Sequence, residues 1–274
     1  MRPLIAAIAV AFSVAVPASA DDHVMTLDEV LAADLRDEDR ARDIYRHPAE
    51  TLAFFQVEPT MAVAEWAPGG GWYTRVLAPY LMGQGRYVAI NGDSDGTNYR
   101  DRASEARAKG WTETFRSTYG QAMGVKPEAI AAYEIDEVPE DMNGTLDRVL
   151  IVRSMHGLWN SGNADTVLRG LRPLLKDDGM IGVVQHRAPA DATWSSVNPA
   201  QGYMRQDDVV AIFQLAGYEL VDTSEINANP KDPANWEGGV WALPPTLRFG
   251  DKDRARYEAI GESDRMTLLF RKAG

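Results

Sequence analysis

Cysteine is absent from the 274 residues. No disulfide framework, Cys-ligated zinc, iron–sulfur cluster or thiol nucleophile can therefore be built. Histidine is scarce, with four in the whole chain. Two candidates without fixed ligand spacing, His156 and His186, give no reason to expect a metal site. Positive charge is also short: 28 Lys and Arg stand against 40 Asp and Glu, for a net charge of −12. Phosphate backbones are bound by basic surfaces, so no nucleic-acid partner is expected. There is no internal repeat and no low-complexity tract. What is present is ordinary for a globular protein, with 45% hydrophobic and 25% charged residues.

Long apolar runs are missing except at the start. Met1 and Arg2 precede an apolar stretch over 4–16, followed by Pro17 and Ala18-Ser19-Ala20 before Asp21. A basic start, a short apolar run and an A-x-A site read as a cleavable secretory signal over 1–20. Thirteen residues are too few to cross about 30 Å of hydrocarbon as a helix. A periplasmic or secreted chain is expected, with no stable membrane insertion after cleavage. Removal leaves 254 residues, a length suited to one domain over 21–274.

Along that domain, strand-like and helix-like segments alternate. Residues 34–46 are dense in both signs and read as a solvated helical face. Pro48 suits a helix start, with the helix over 49–55. Apolar runs at 61–64, 87–90, 131–135, 148–152 and 180–185 read as strands. So do 218–221 and 266–270. Helical patterns occupy 72–81, 99–109, 164–175 and 207–216, with Asp177-Asp178-Gly179 ending the third. This alternation predicts an α/β, doubly wound, mostly parallel sheet covered on both faces. An N-terminal helical extension (21–58) precedes it, and two loop-rich stretches (188–203 and 227–250) form a cover. Such sheets bind ligands at the carboxyl ends of their strands, near the reversal of strand order.

The first strand leads there. It is followed by Glu65-Trp66-Ala67-Pro68-Gly69-Gly70-Gly71-Trp72. Glycines allow close backbone approach, and a helix start offers free N–H groups to an anion. A dinucleotide fingerprint would need Gly at position 74, where Thr74 stands, and no Walker lysine follows. Glu65 would repel a pyrophosphate and suits an ammonium group.

Glu65-x-Ala67-x-Gly69-x-Gly71 resembles motif I of class I S-adenosylmethionine (SAM)-dependent methyltransferases, with Ala67 replacing the first glycine. Further matches follow in order: Tyr87-Val88-Ala89-Ile90-Asn91, Asp136-Glu137-Val138-Pro139, Asp147-Arg148-Val149-Leu150-Ile151, and the run from Leu171-Arg172-Pro173 to Gly179-Met180. Residues 40–55, Pro68-Gly69-Gly70-Gly71-Trp72-Tyr73-Thr74, His186-Arg187-Ala188 and Gly261-Glu262-Ser263-Asp264-Arg265-Met266 resemble a group of predicted secreted bacterial methyltransferases. The resemblance implies a seven-stranded Rossmann-like sheet whose last strand is antiparallel. It implies SAM as cofactor. Glu65 would hold the methionine ammonium, and Ala67, Gly69, Gly70 and Gly71 would form the turn, its amides meeting the carboxylate. Asn91 or Asp93 would meet the ribose, and Asp136 the adenine. Asn91 stands where the family usually has an acid, and an amide offers one acceptor oxygen.

Methyl transfer is direct displacement, to which an enzyme contributes mainly placement and, for an O–H or N–H acceptor, a base. His156 after the fourth strand and His186 at the end of the fifth are candidate bases. Arg187 can bind an acceptor carboxylate or phosphate bidentately. Trp72 reads as a packing residue. The expected function is methyl transfer to a small-molecule acceptor. The alternative is a non-catalytic exported binding protein on the same fold, holding a nucleoside-like ligand; Ala67 and Asn91 favour it. Thr74 argues against a nicotinamide oxidoreductase.

Overall fold

The computed structural model describes residues 24–95 and 97–274. The signal segment read over 1–20 lies outside the described residues.

Among the described residues, seven strands form one sheet: β1 (Ala62–Trp66), β2 (Arg86–Asn91), β3 (Ala131–Glu134), β4 (Leu146–Val152), β5 (Leu175–His186), β6 (Tyr218–Ser224) and β7 (Arg265–Lys272). Their order is β3-β2-β1-β4-β5-β7-β6. Strands β1 to β5 pair in parallel, and β7 inserts antiparallel between β5 and β6. The α/β, doubly wound architecture with an antiparallel last strand is therefore present. The order reverses at β1, which pairs with β2 on one side and β4 on the other.

Ten helices accompany the strands among the described residues. Three short ones come first: α1 (Leu27–Ala32), α2 (Asp43–Arg46) and α3 (Pro48–Phe54). Then come α4 (Thr74–Leu81), α5 (Arg102–Lys109), α6 (Trp111–Met123), α7 (Met155–Ser161) and α8 (Ala164–Leu171), followed by α9 (Gln206–Leu215) and α10 (Arg254–Ile260). Side chains alternate along β1, so Ala64 and Trp66 join one core, with α8 and α9, while Val63 joins the other, with α4 and α6. Phe55 docks the N-terminal helices onto that second face. A Cβ on Gly182 of β5 would fall 2.6 Å from the Phe55 ring, so only glycine admits this contact.

Three expectations change. The helix read over 164–175 stops at Leu171, because Pro173 leads into a single turn over Arg172–Leu174. Asp177-Asp178-Gly179 do not end a helix; they lie at an irregular register of β5 against β4. Residues 111–123, left unassigned above, form α6. There Trp111, Phe115 and Tyr119, four apart, pack in tilted contact with ring centroids 5.1 and 4.5 Å apart.

The third change concerns charge. Residues 34–46 are solvated only in part: Asp34, Asp37, Glu38 and Arg40 are exposed, but the segment also turns charges inward. Arg36 and Arg46 are fully buried, and Asp39 nearly so. Each finds a partner: Arg36 with Asp43 at 2.7 Å, Arg46 with Glu262 at 2.9 Å, and Asp39 with Arg75. Trp72 lies between the two arginines, 5.1 Å from Arg36 and 4.7 Å from Arg46. It packs the helical extension, and its stacking capacity is used there.

Candidate functional site

The turn after β1 is a strained surface for close approach. Ala67 has φ 47°, Gly69 φ 57° and Gly71 φ 70°. A non-glycine residue costs roughly 1–2 kcal/mol in this region, so Ala67 occupies a place that favours glycine. Gly71 donates its N–H to Pro68 O at 3.0 Å. A Cβ on Gly71 would lie 1.5 Å from the Tyr119 hydroxyl, so α6 sits directly on the turn. Arg75 donates to Gly70 O at 2.9 Å. The amides of Gly69 and Gly70 donate to no protein acceptor among the described residues.

Glu65 lies beneath this turn and is buried. Its Oε2 accepts from the hydroxyls of Thr74 and Tyr87, each at 2.7 Å. Thr74 is thus the anchor of the acid, which explains its presence where a dinucleotide fingerprint has glycine. Burial pushes the carboxyl up to about 7, despite those two donors. Oε1 has no protein partner among the described residues.

A cavity of about 330 Å³ opens at the carboxyl ends of β1, β2 and β4. Trp66, Ala67, Asn91, Asp93, Ser154 and Leu158 are among its walls. Asn91 and Asp93 thus meet the turn residue Ala67 around one space. Asp136 is not among the lining residues. It lies with Asp93 and Glu134 in an acidic group beside a neighbouring cavity of about 610 Å³, which also receives Lys109 and Arg116. Glu134 accepts the Ser94 amide at 2.7 Å.

On the other side of β4, His156 and His186 come together, with ring centroids 5.7 Å apart. Each loop-rich stretch supplies one aromatic: Trp241 meets His156 edge-on at 5.9 Å, and Tyr203 meets His186 at 6.4 Å. The same stretches share a small core that includes Ala188, Trp236, Val240 and Leu243. His186 Nδ1 lies 2.6 Å from the Ser263 hydroxyl, and His156 Nδ1 lies 3.3 Å from the Gln185 amide nitrogen. Burial holds both imidazoles below the ordinary range, His186 strongly, and the Arg153 charge adds to this. Both rings are neutral near pH 7.

Arg187 is paired. Its guanidinium meets Asp264 at 2.9 Å and Glu225 at 2.7 Å. The sequence reading passed over its counterpart, Arg153. That residue follows β4 with φ 56°, and its N–H donates to Val184 O at 2.6 Å. Its Nε is buried without a partner, as is the hydroxyl of Ser154 next to it. Burial pulls the guanidinium down to about 10. Position alone could have flagged it, since it leaves the strand beside the reversal of sheet order.

No protein-family model matches the chain in sequence, and no curated protein is found similar to it. Solved structures resemble it in fold. A SAM-dependent methyltransferase from Aquifex aeolicus has a TM-score of 0.47 at 17% identity, covering 74% of this chain and 94% of its own. The 1,6-didemethyltoxoflavin-N1-methyltransferase of Burkholderia thailandensis, solved with S-adenosylhomocysteine, has a TM-score of 0.47 at 13% identity, covering 90% and 87%. The cyclase SpnF has a TM-score of 0.47 at 12% identity, covering 83% and 80%. Strand order and register define this fold by themselves.

Proposed function

We propose that the chain is a SAM-dependent methyltransferase acting on a small-molecule acceptor. The observation that carries this is the cavity at the reversal of strand order, bounded by Ala67 of the glycine turn and by Asn91 and Asp93 after β2. Its size falls in the range of small-ligand sites. Glu65 Oε1 would take the methionine ammonium, and the Gly69 and Gly70 amides the carboxylate. Asn91 and Asp93 would meet the ribose. Asp136 would reach the adenine from the adjoining cavity, through the segment that includes Ile135.

SAM supplies an electrophilic methyl group. The acceptor atom would form a bond to that carbon as the carbon–sulfur bond breaks, its electron pair staying on sulfur. For an O–H or N–H acceptor, a neutral His156 or His186 would take the proton. Arg187 would orient the acceptor only by exchanging a carboxylate partner for it.

The alternative, an exported binding protein for a nucleoside-like ligand, draws support from Asn91, which offers one acceptor oxygen where two ribose hydroxyls need partners. The apolar run over 4–16 supports a periplasmic or secreted location. Among the described residues, no helix is long and apolar enough to cross a membrane.

The test is calorimetric titration of residues 21–274 with SAM, S-adenosylhomocysteine and NAD. Micromolar binding of the first two and none of NAD is expected. Absence of binding by both sulfur compounds would overturn the proposal.

A further inference from the structure

Four arginines gather where the N-terminal helices meet the ends of β4 and β7: Arg42, Arg46, Arg153 and Arg265. Glu262 is the acid among them. Its oxygens are taken by Arg42 at 2.7 Å, Arg46 at 2.9 Å and Arg265 at 3.0 Å. Three guanidinium groups thus share one carboxylate, and none of its contacts is with Arg153.

Arg153 makes no side-chain hydrogen bond or ion pair among the described residues, although its Nε is sealed from solvent. Sealing Nε without a partner carries a desolvation cost, although the residue as a whole is only half-buried and its terminal nitrogens are not sealed. The backbone adds to the cost, because φ is 56° at a residue that is not glycine. The neighbouring Ser154 hydroxyl is likewise buried and unpartnered, and Ser154 lines the cavity at the strand ends. After burial, the charge of Arg153 also disfavours protonation of His156 and His186. A forked cation without a protein partner among the described residues therefore stands next to Ser154 of the cavity wall and three residues before His156.

We propose that Arg153 binds an anionic group, a carboxylate or a phosphate, carried by the acceptor, and holds that acceptor beside His156 and His186. A guanidinium recognises such groups through two parallel N–H donors. The word acceptor rests on the methyl-transfer reading; the anion site itself does not. SAM also carries a carboxylate, so the same chemistry has a second source, and the test separates the two.

Inorganic phosphate and acetate are titrated into the full mature chain at constant ionic strength, with and without saturating S-adenosylhomocysteine. The arginine Nε–H NMR signals report binding, with that of Arg153 assigned by its loss in Arg153→Met. Saturable binding is expected in the wild type, at least tenfold weaker in Arg153→Met, and unchanged by S-adenosylhomocysteine. If Arg153→Met fails to fold, Arg153→Lys keeps the charge but not the fork, and binding at least threefold weaker is expected there. Absent binding in the wild type, or equal binding in wild type and variants, would overturn the anion site. Displacement of phosphate by S-adenosylhomocysteine would overturn the acceptor assignment and give Arg153 to the cofactor carboxylate. If S-adenosylhomocysteine does not bind while phosphate does, the methyl-transfer reading falls and the anion site stands.

Discussion

Arg153 and Arg187 occupy equivalent places, one residue beyond the neighbouring parallel strands β4 and β5. Arg187 clamps Asp264 and Glu225, and these partners raise its pKa above the ordinary value. Arg153 has no partner among the described residues, and burial lowers it to about 10. The difference separates two uses of a cation. A paired guanidinium ties a loop to a strand end. An unpaired one, held in a strained backbone, costs stability, and under the proposal above that cost goes with binding an anion.

The comparison can be broken by substitution. The largest effect is expected at Glu262, which three arginines share. Glu262→Gln leaves buried charges uncompensated and should destabilise by about 3–5 kcal/mol in urea denaturation. A loss below about 1 kcal/mol would show that the pairing there carries little.

Glu65 comes next, being hydrogen-bonded yet held up at about 7 by burial. A carboxyl raised in the folded state contributes stability that is complete below its unfolded value, near 4.5. That stability is lost as pH rises through 7. The interval corresponds to about 3 kcal/mol. His186, lowered by burial, has the opposite sign: its contribution is present above 6.5 and lost as pH falls. The two partly cancel in the wild type, so Glu65→Gln is the informative variant. Its stability relative to wild type should rise by about 2–3 kcal/mol between pH 5 and pH 8; an unchanged difference would refute the raised value.

Arg187→Met should cost about 1 kcal/mol in thermal denaturation, because Glu225 is largely exposed and the pair is screened. Arg153→Met should be smallest, between no change and a slight gain in melting temperature without ligand. A loss of several kcal/mol would mean that Arg153 is structural and would erase the contrast.

Much of the fold was legible because buried parallel strands read as apolar runs and the glycine turn follows the first of them. The antiparallel β7 matched the resemblance. Helix α6 was not read, since its aromatic stripe at 111, 115 and 119 lies in an otherwise polar segment. The buried arginines of 36–46 were read as surface because their partners are distant in sequence: Glu262 is 216 residues from Arg46. Pairing across such separations has no local signature. The same limit hid the contrast between Arg187, whose partners lie 38 and 77 residues away, and Arg153, which has none among the described residues. Individual residues at the turn were legible, and the structure supplies reasons for two departures. Thr74 anchors Glu65, and Ala67 adopts the left-handed conformation of the glycine it replaces.

The most direct test of the account is proton release during S-adenosylhomocysteine binding, measured by calorimetry at pH 6 and pH 8 in buffers of different ionisation enthalpy. Glu65 is largely protonated at pH 6 in the free chain, and an ammonium group at Oε1 would ionise it. The account predicts release of close to one proton at pH 6, almost none at pH 8, and tighter binding at pH 8. Binding without proton release at pH 6, or no binding at either pH, would contradict it.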